Sequence, residues 1–183
     1  MPYPATEIIE PGVIRHIEGT RFALGELDGE LSERCAAISA AFQAGGLKAP
    51  VERRIRDQLW LKLIGNAALN PVTALTGATL GQLGTLPEIG AALRAMLEEV
   101  AAVGQALGIE LPVSIDRRLE AAIEVGGHRT SMLQDFDAHK PLELDCMTGA
   151  VIEIAGRLGL GVPHVETVHA CLKLRAELRG PSA

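Results

Sequence analysis

Four polar residues stand at helical spacing in the most apolar part of the sequence. Lys62, Asn66 and Asn70 are four residues apart, and Thr73 follows three residues later. On an α-helix these positions share one narrow stripe, and the residues around it are apolar. Buried amide and ammonium groups are costly unless they have partners. The spacing therefore favours a cleft in which these side chains meet a polar ligand. The alternative is a structural polar seam between helices, with the lysine reaching out to water.

A second polar stretch, residues 128–149, holds two further candidates. Ser131 and Gln134 have the spacing of a capping box, which favours a helix N-cap role for Ser131. Glu143 falls on the apolar face of the helix predicted next, where a carboxylate needs a cation or hydrogen bonds, and Lys62 is the obvious partner. The alternative for Glu143 is a first-turn position that complements the helix dipole.

Other common catalytic and ligand-binding patterns do not occur in the sequence. The five histidines do not have the spacing of a zinc site, so no metal site is predicted. There is no GxSxG nucleophile elbow, no P-loop and no GxGxxG turn after a strand. The chemistry is therefore sought in the lysine, the amides, the serine and the glutamate.

The elements that would position these residues fall into two parts, with the change near residue 52. Residues 1–52 contain two strand-like runs, 12–17 and 20–25, with a tight turn at 18–19 between them. A helix capped by Ser32 and a strand at 47–51 follow. From residue 53 to 183 the pattern is helical almost throughout. The predicted helices cover 58–75, Pro87 to Leu107, a segment after Ser114, Pro141 to Leu158, and Pro163 to Leu178. We expect a mainly α fold: a helical bundle preceded by a few β-strands and a helix.

Composition excludes several classes of protein. The chain has 183 residues, 48% hydrophobic and 22% charged, with a net charge of −6, so wholesale disorder is excluded. The absence of a Lys/Arg cluster argues against a nucleic-acid partner. No run approaches the roughly 18 apolar residues of a membrane span, and the N-terminus does not resemble a secretory signal. Three widely spaced cysteines fit a reducing cytoplasm, with the thiols used as small hydrophobic groups.

Taken together, the two polar stretches resemble the C-terminal portion of the ketopantoate reductase (2-dehydropantoate 2-reductase) family. The family pattern W-x-K-x-x-x-N-x-x-x-N-P-x-[ST]-A corresponds to residues 60–74, and S-M-x-Q-D corresponds to 131–135. The pattern [ST]-E-[IL]-D-x-x-x-G corresponds to 142–149, and a late glycine and proline correspond to 161–163. Leu142 departs from the pattern, because the family usually has a small hydroxyl residue there.

The resemblance implies a fold and a role for each candidate. The fold would be the 6-phosphogluconate dehydrogenase C-terminal-like helical domain, for substrate binding and dimerisation at residues 53–183, after the remnant of a Rossmann-type nucleotide domain at 1–52. Lys62 would be the general acid that gives a proton to the C2 carbonyl oxygen of the substrate. Asn66 and Asn70 would hydrogen-bond substrate hydroxyl and carbonyl groups, and Ser131 would bind the substrate carboxylate. Glu143 would hold the substrate and position Lys62.

The resemblance also implies the cofactor and the partners. The full-length family uses NADPH to reduce ketopantoate to pantoate in pantothenate biosynthesis, and its helical domains commonly pair, so a cytoplasmic homodimer is expected. The family's glycine-rich loop does not occur here, so we expect no cofactor site and no turnover from this chain alone. The alternatives are a binding or assembly module for a 2-keto or 2-hydroxy acid or for a separate nucleotide-binding chain, and a related 2-keto acid reductase.

Overall fold

A computed structural model describes residues 2–179, which form two compact units, one ending at Leu59 and the next beginning at Trp60. The first unit is a small mixture of strands and one helix, and the second is helical. None of the helices in the described range has both the length and the apolar character that a membrane span requires.

The first unit opens with an antiparallel hairpin of β1 (Ala5–Glu10) and β2 (Val13–Glu18). The predicted hairpin between 12–17 and 20–25 is therefore wrong, and its turn at 18–19 is not the hairpin turn. The chain reverses instead at Pro11-Gly12, where the glycine has a φ of +84° that suits the third position of a type II turn. Residues 20–24 and 47–51 meet only through isolated parallel bridges, Arg21 with Lys48 and Leu24 with Val51.

Helix α1 (Glu33–Ala44) begins as predicted at Ser32, whose hydroxyl accepts a hydrogen bond from the Cys35 amide at 3.1 Å. The Glu26 carboxylate ties the preceding loop to this helix, accepting from Ser32 Oγ and from Arg34 Nη2 at 2.5 Å each. These donors stabilise the ionised carboxylate, Arg34 most strongly, and lower the Glu26 pKa to about 2. Cys35 is buried as expected of a small hydrophobic group, whereas Cys146 and Cys171 are exposed, so that prediction is wrong for these two.

We predict that Glu26 makes stability depend on pH in the acid range. Because its pKa falls from 4.5 to about 2 on folding, its contribution is fully present above pH 4.5 and is lost as the pH falls towards 2. Urea-unfolding midpoints measured across this range should decline in the wild type and decline less in Glu26→Gln. Glu30→Gln, in an exposed position of the same loop, is the matched control and should behave as the wild type.

The second unit is built from helices joined by short loops. Those described are α2 (Ile55–Thr76, whose first turn precedes the unit boundary), α3 (Leu80–Leu83), α4 (Pro87–Ala106), α5 (Ile115–Glu124), α6 (Ser131–Asp137), α7 (Ala150–Leu158) and α8 (Pro163–Leu178), with a π-helical turn at Asp145–Gly149 directly before α7. The predicted starts at Pro87, Ser114 and Pro163 are confirmed, and Ser114 Oγ accepts from the Arg117 amide. The predicted mainly α fold, a helical bundle preceded by strands and a helix, is therefore confirmed.

A large apolar core holds α2, α4, α5, α7 and the start of α8 together. Helices α2 and α4 meet in this core, where Trp60 Nε1 donates to the Val100 carbonyl at 3.0 Å. The indole lies directly over Gly104, and a Cβ at position 104 would overlap its nitrogen. The tryptophan can pack this close because the facing residue has no side chain.

Helix α8 is oriented by a carboxylate from α4. Val162, which precedes α8, gives no side-chain cap, so the first amides of this helix need another acceptor. Glu99 supplies it: the carboxylate accepts from the His164 amide at 3.1 Å, from the Val165 amide at 3.0 Å, and contacts His164 Nδ1 at 2.6 Å. This cap has no local sequence signal, because Glu99 and His164 are 65 positions apart.

Substitution of Gly104 should destabilise the helical unit. Gly104→Ala forces the α2–α4 contact to open, and overpacking of this kind costs about 1–3 kcal/mol of unfolding free energy. Gly90→Ala, on the same helix, meets no atom within 4 Å and should be neutral or stabilising by up to about 1 kcal/mol, because alanine favours the helix. Equal unfolding free energies of the two variants in denaturant titrations would contradict this account.

Candidate active site

The predicted polar stripe lies on one uninterrupted helix. Lys62, Asn66, Asn70 and Thr73 all fall within α2, which continues through Pro71. Their burial increases along the helix: Lys62 and Asn66 are half-buried, Asn70 is 6% exposed and Thr73 is fully buried. Pro71 has no amide hydrogen, so the helix also loses one internal hydrogen bond beside the stripe. The stripe thus has a solvent-facing end that a ligand can reach and a buried end that the protein must satisfy.

Hydrogen bonds satisfy the buried end of the stripe. Thr73 Oγ1 donates to the Asn70 carbonyl at 2.8 Å and lies 2.6 Å from Thr130 Oγ1. The Thr73 proton goes to that carbonyl, so Thr130 is the donor in the contact between the two hydroxyls. Thr130 Oγ1 also accepts from the Leu133 amide at 3.3 Å. This chain of hydrogen bonds joins α2 to the first turn of α6.

The same contact determines the position of Ser131. The N-cap of α6 is Thr130, so the capping role favoured for Ser131 is wrong. The two neighbouring hydroxyl residues differ in their surroundings: Thr130 is buried against Thr73, whereas Ser131 is exposed. Ser131 is therefore the first residue of α6, next to the stripe, and its hydroxyl is not used as a cap.

Glu143 lies outside the helix in which it was predicted. Helical structure begins at Leu144 rather than Pro141, and Glu143 is exposed in the residue before it. The π-helical turn that follows adds a residue and breaks the regular spacing, so Glu143 does not share one α-helical face with Ile154 and Leu158. Asp145, in that turn, forms an ion pair with Lys173 at 3.3 Å and lies 3.5 Å from His169 Nε2. The predicted pairing of Glu143 with Lys62 stays a prediction.

A second, smaller core contains the sequence neighbours of Thr73, Ser131 and Glu143. Its buried members are Ala74, Met132, Phe136, Leu144 and Leu172. Ala74 follows Thr73, Met132 follows Ser131, and Leu144 follows Glu143. Thr73, Ser131 and Glu143 are each bonded to a residue of this cluster, so the buried end of the stripe, Ser131 and Glu143 lie around one small apolar centre. Lys62 lies twelve residues before Ala74, about 18 Å along the helix.

Two arginines of the last helix brace this small core. The guanidinium carbons of Arg175 and Arg179 lie 4.7 and 4.4 Å from the Phe136 ring centroid. Arg175 Nη1 also donates to the Ala74 carbonyl at 3.2 Å, and Arg179 donates to the carbonyls of Phe136 and Lys140. Arginine can do both because its planar cation stacks on a ring while its edge donates hydrogen bonds. The C-terminal ends of α2 and α6 are thereby fixed to α8.

A second cation, not predicted from the sequence, lies beside the stripe. The guanidinium of Arg118, on α5, lies over Gly65 of α2, and a Cβ at position 65 would be 2.5 Å from Arg118 Nη2. Gly65 lies between Lys62 and Asn66 in the same turn, so a positive charge is held close to the solvent-facing end of the stripe. The only sequence signal was a glycine in the middle of an apolar helix, which indicates a close approach by another group.

Within the described residues, no three or more histidine, cysteine, aspartate or glutamate side chains converge as metal ligands.

Comparisons with known proteins agree with the geometry. The family model for the C-terminal region of ketopantoate reductase PanE/ApbA matches residues 54–176. The chain belongs to the ketopantoate reductase family. A 2-dehydropantoate 2-reductase from Mesorhizobium japonicum is 42% identical over 178 residues, which cover 97% of this chain and 55% of the relative. The chain therefore spans about half the length of that relative.

Solved structures extend the comparison to the backbone. A ketopantoate reductase-like protein from Ralstonia solanacearum matches 99% of this chain and 55% of its own, with a TM-score of 0.92 and 35% identity. The 2-dehydropantoate 2-reductase of Methylococcus capsulatus matches 99% of this chain and 63% of its own, with a TM-score of 0.87 and 33% identity. The resemblance drawn from the sequence motifs is thus confirmed.

We predict that Thr73 and Thr130 are energetically coupled. Thr73→Val and Thr130→Val each leave a buried polar group without its partner, which costs about 1–3 kcal/mol of unfolding free energy. The double variant should lose less than the sum, with a coupling of at least about 0.5 kcal/mol. Thr76→Val, at an exposed position of the same helix, is the control and should cost less than either. Strict additivity in chemical denaturation would show that the 2.6 Å contact contributes nothing.

Proposed function

We propose that this chain is the substrate-binding part of an NADPH-dependent 2-dehydropantoate 2-reductase, the enzyme that reduces ketopantoate to pantoate. The observation that supports the proposal is the Thr73–Thr130 contact, which joins the helix bearing a half-buried lysine and two amides to the helix that begins at the exposed Ser131. The family membership of the chain supports the same assignment.

The chemistry of the candidates suits a 2-keto acid. Reduction needs a hydride at C2 and a proton at the carbonyl oxygen, and the residues of this chain provide for the second. We assign the proton to Lys62, whose ammonium also stabilises the negative charge that develops on that oxygen. Asn66 and Asn70 have amides that can both donate and accept, as substrate hydroxyl and carbonyl groups require.

The remaining roles fall to Ser131 and Glu143. The exposed Ser131 hydroxyl is available to donate to the substrate carboxylate, because Thr130 has taken the capping role. Glu143 would accept from a substrate hydroxyl and, once substrate is bound, orient Lys62. Arg118 adds positive charge near Lys62 and favours an anionic ligand.

The turn before α1 does not suit the pyrophosphate of a dinucleotide. The loop before α1 carries three carboxylates, on Glu26, Asp28 and Glu30, and the Ser32 hydroxyl at the helix start is already bonded to Glu26. Negative side chains at this turn repel phosphate. We therefore place the cofactor on residues outside this chain, in keeping with relatives of about twice its length, and derive no step through it.

Binding of ketopantoate to the isotopically labelled chain tests the proposal. Addition of ketopantoate up to about 10 mM, a range that detects weak ligands, should shift the amide resonances of Asn66, Asn70, Ser131 and Glu143 in a saturable manner. Lys62→Ala should weaken binding at least about tenfold, because it removes a charged partner of the ligand. Lys48→Ala is the control, since this lysine is exposed and belongs to the first compact unit.

Two results would contradict the proposal. One is the absence of saturable shifts in the wild type, and the other is equal affinity in the wild type and Lys62→Ala. A 2-keto acid without the terminal hydroxyl of ketopantoate should bind more weakly; tighter binding would favour a related reductase of another 2-keto acid.

A further inference from the structure

The π-helical turn after Glu143 is held by a side chain from α8. Thr148, in this turn, is fully buried, and its Oγ1 donates to the Leu144 carbonyl at 3.0 Å. The same oxygen lies 2.7 Å from Nδ1 of His169. A π turn interrupts the regular ladder of helical hydrogen bonds and therefore needs a local cause. In this turn the threonine hydroxyl contacts both a backbone carbonyl and the histidine, so a side chain of α8 lies beside the irregular hydrogen bonds.

The hydrogen-bond directions select one form of the histidine ring. A threonine hydroxyl has one proton, and that of Thr148 goes to Leu144, so the 2.7 Å contact needs a proton on His169 Nδ1. Burial lowers the pKa of His169; Asp145 raises it and Lys173 lowers it, so the ring is neutral at neutral pH. The neutral ring then carries its proton on Nδ1, and Nε2 faces Asp145 Oδ1 at 3.5 Å. Lys173 Nζ, 3.3 Å from the same carboxylate oxygen, balances that charge.

We propose that His169 is a positioning residue for Glu143, acting through Thr148 and the Leu144 carbonyl. The inference rests on the proposed function, in which Glu143 contacts the substrate. Leu144 is 5% exposed within the small core, and the Met147 amide donates to the Glu143 carbonyl at 3.1 Å. The Thr148–His169 contact thus fixes the backbone on the C-terminal side of Glu143 and joins it to α8.

Two NMR measurements on the chain as it stands test this arrangement. One is the nitrogen spectrum of the His169 ring, and the other is hydrogen exchange of the Met147 amide with solvent. At about pH 7.5, above the ordinary histidine pKa, the wild-type ring should be protonated on Nδ1. Thr148→Val keeps the side-chain volume but removes the hydroxyl, so the ring should change to the Nε2-protonated form. The Met147 amide should then exchange about five- to tenfold faster, as the loss of one hydrogen bond predicts.

Three further variants separate positioning from general stability. Thr148→Ser restores the hydroxyl and should restore both the Nδ1 form and slow exchange. His169→Phe keeps a ring without nitrogens and should speed Met147 exchange, which gives a second test if Thr148→Val does not fold. Thr167→Val is the matched control: its hydroxyl donates to the Pro163 carbonyl at 2.7 Å in the same helix as His169, but at an exposed position, so neither signal should change.

Ketopantoate titration of the same variants connects the arrangement to function. Thr148→Val should weaken ketopantoate binding at least about threefold, and Thr148→Ser should not. If the wild type binds no ketopantoate, the proposed function fails, while the ring form and the Met147 exchange still decide whether His169 fixes the Glu143 backbone. An Nε2-protonated ring in the wild type, or unchanged Met147 exchange in both Thr148→Val and His169→Phe, would overturn the inference.

Discussion

A buried helix that carries polar groups constrains the rest of the helical unit. Helix α2 is covered by apolar neighbours, yet Asn70 and Thr73 lie on it below the surface. Each polar group removed from water needs a hydrogen-bond partner, and α6 supplies one by placing the Thr130 hydroxyl 2.6 Å from the Thr73 hydroxyl. That requirement sets where α6 begins and, with it, the position of Ser131. The candidate site is therefore arranged by hydrogen bonds inside the core.

The features that could be predicted from the sequence are those whose physical cause lies within one or two helical turns. Ser32 and Ser114 cap helices with their own hydroxyls, and Pro163 begins a helix in which its missing amide hydrogen costs nothing. The stripe from Lys62 to Thr73 followed from helical periodicity alone, because a helix of that length places its residues regularly. Motif spacing then identified the family without any knowledge of tertiary contacts.

The features that could not be predicted depend on residues far apart in the chain. Thr130 and Ser131 are both good capping residues, and only a contact 57 positions away decides between them. The predicted helical position of Glu143 was wrong because the π turn has no local sequence signal, and Thr148 in that turn contacts His169, 21 positions later. The cap that Glu99 gives to α8 likewise has no local signal. In each case a buried or terminal polar group takes its partner from another helix.

The exposure of the candidates has a consequence for catalysis. Lys62 and Asn66 are half-buried, and Ser131 and Glu143 are exposed, so water competes for every one of them in this unit. Electrostatic stabilisation of a developing negative charge is strong only where water is excluded. On the proposed function, these residues can bind a 2-keto acid selectively. Exclusion of water from them then requires another part of the enzyme to cover the site. On the same proposal, the part of the enzyme that carries the cofactor would also have to exclude water from these residues for Lys62 to stabilise the developing charge strongly.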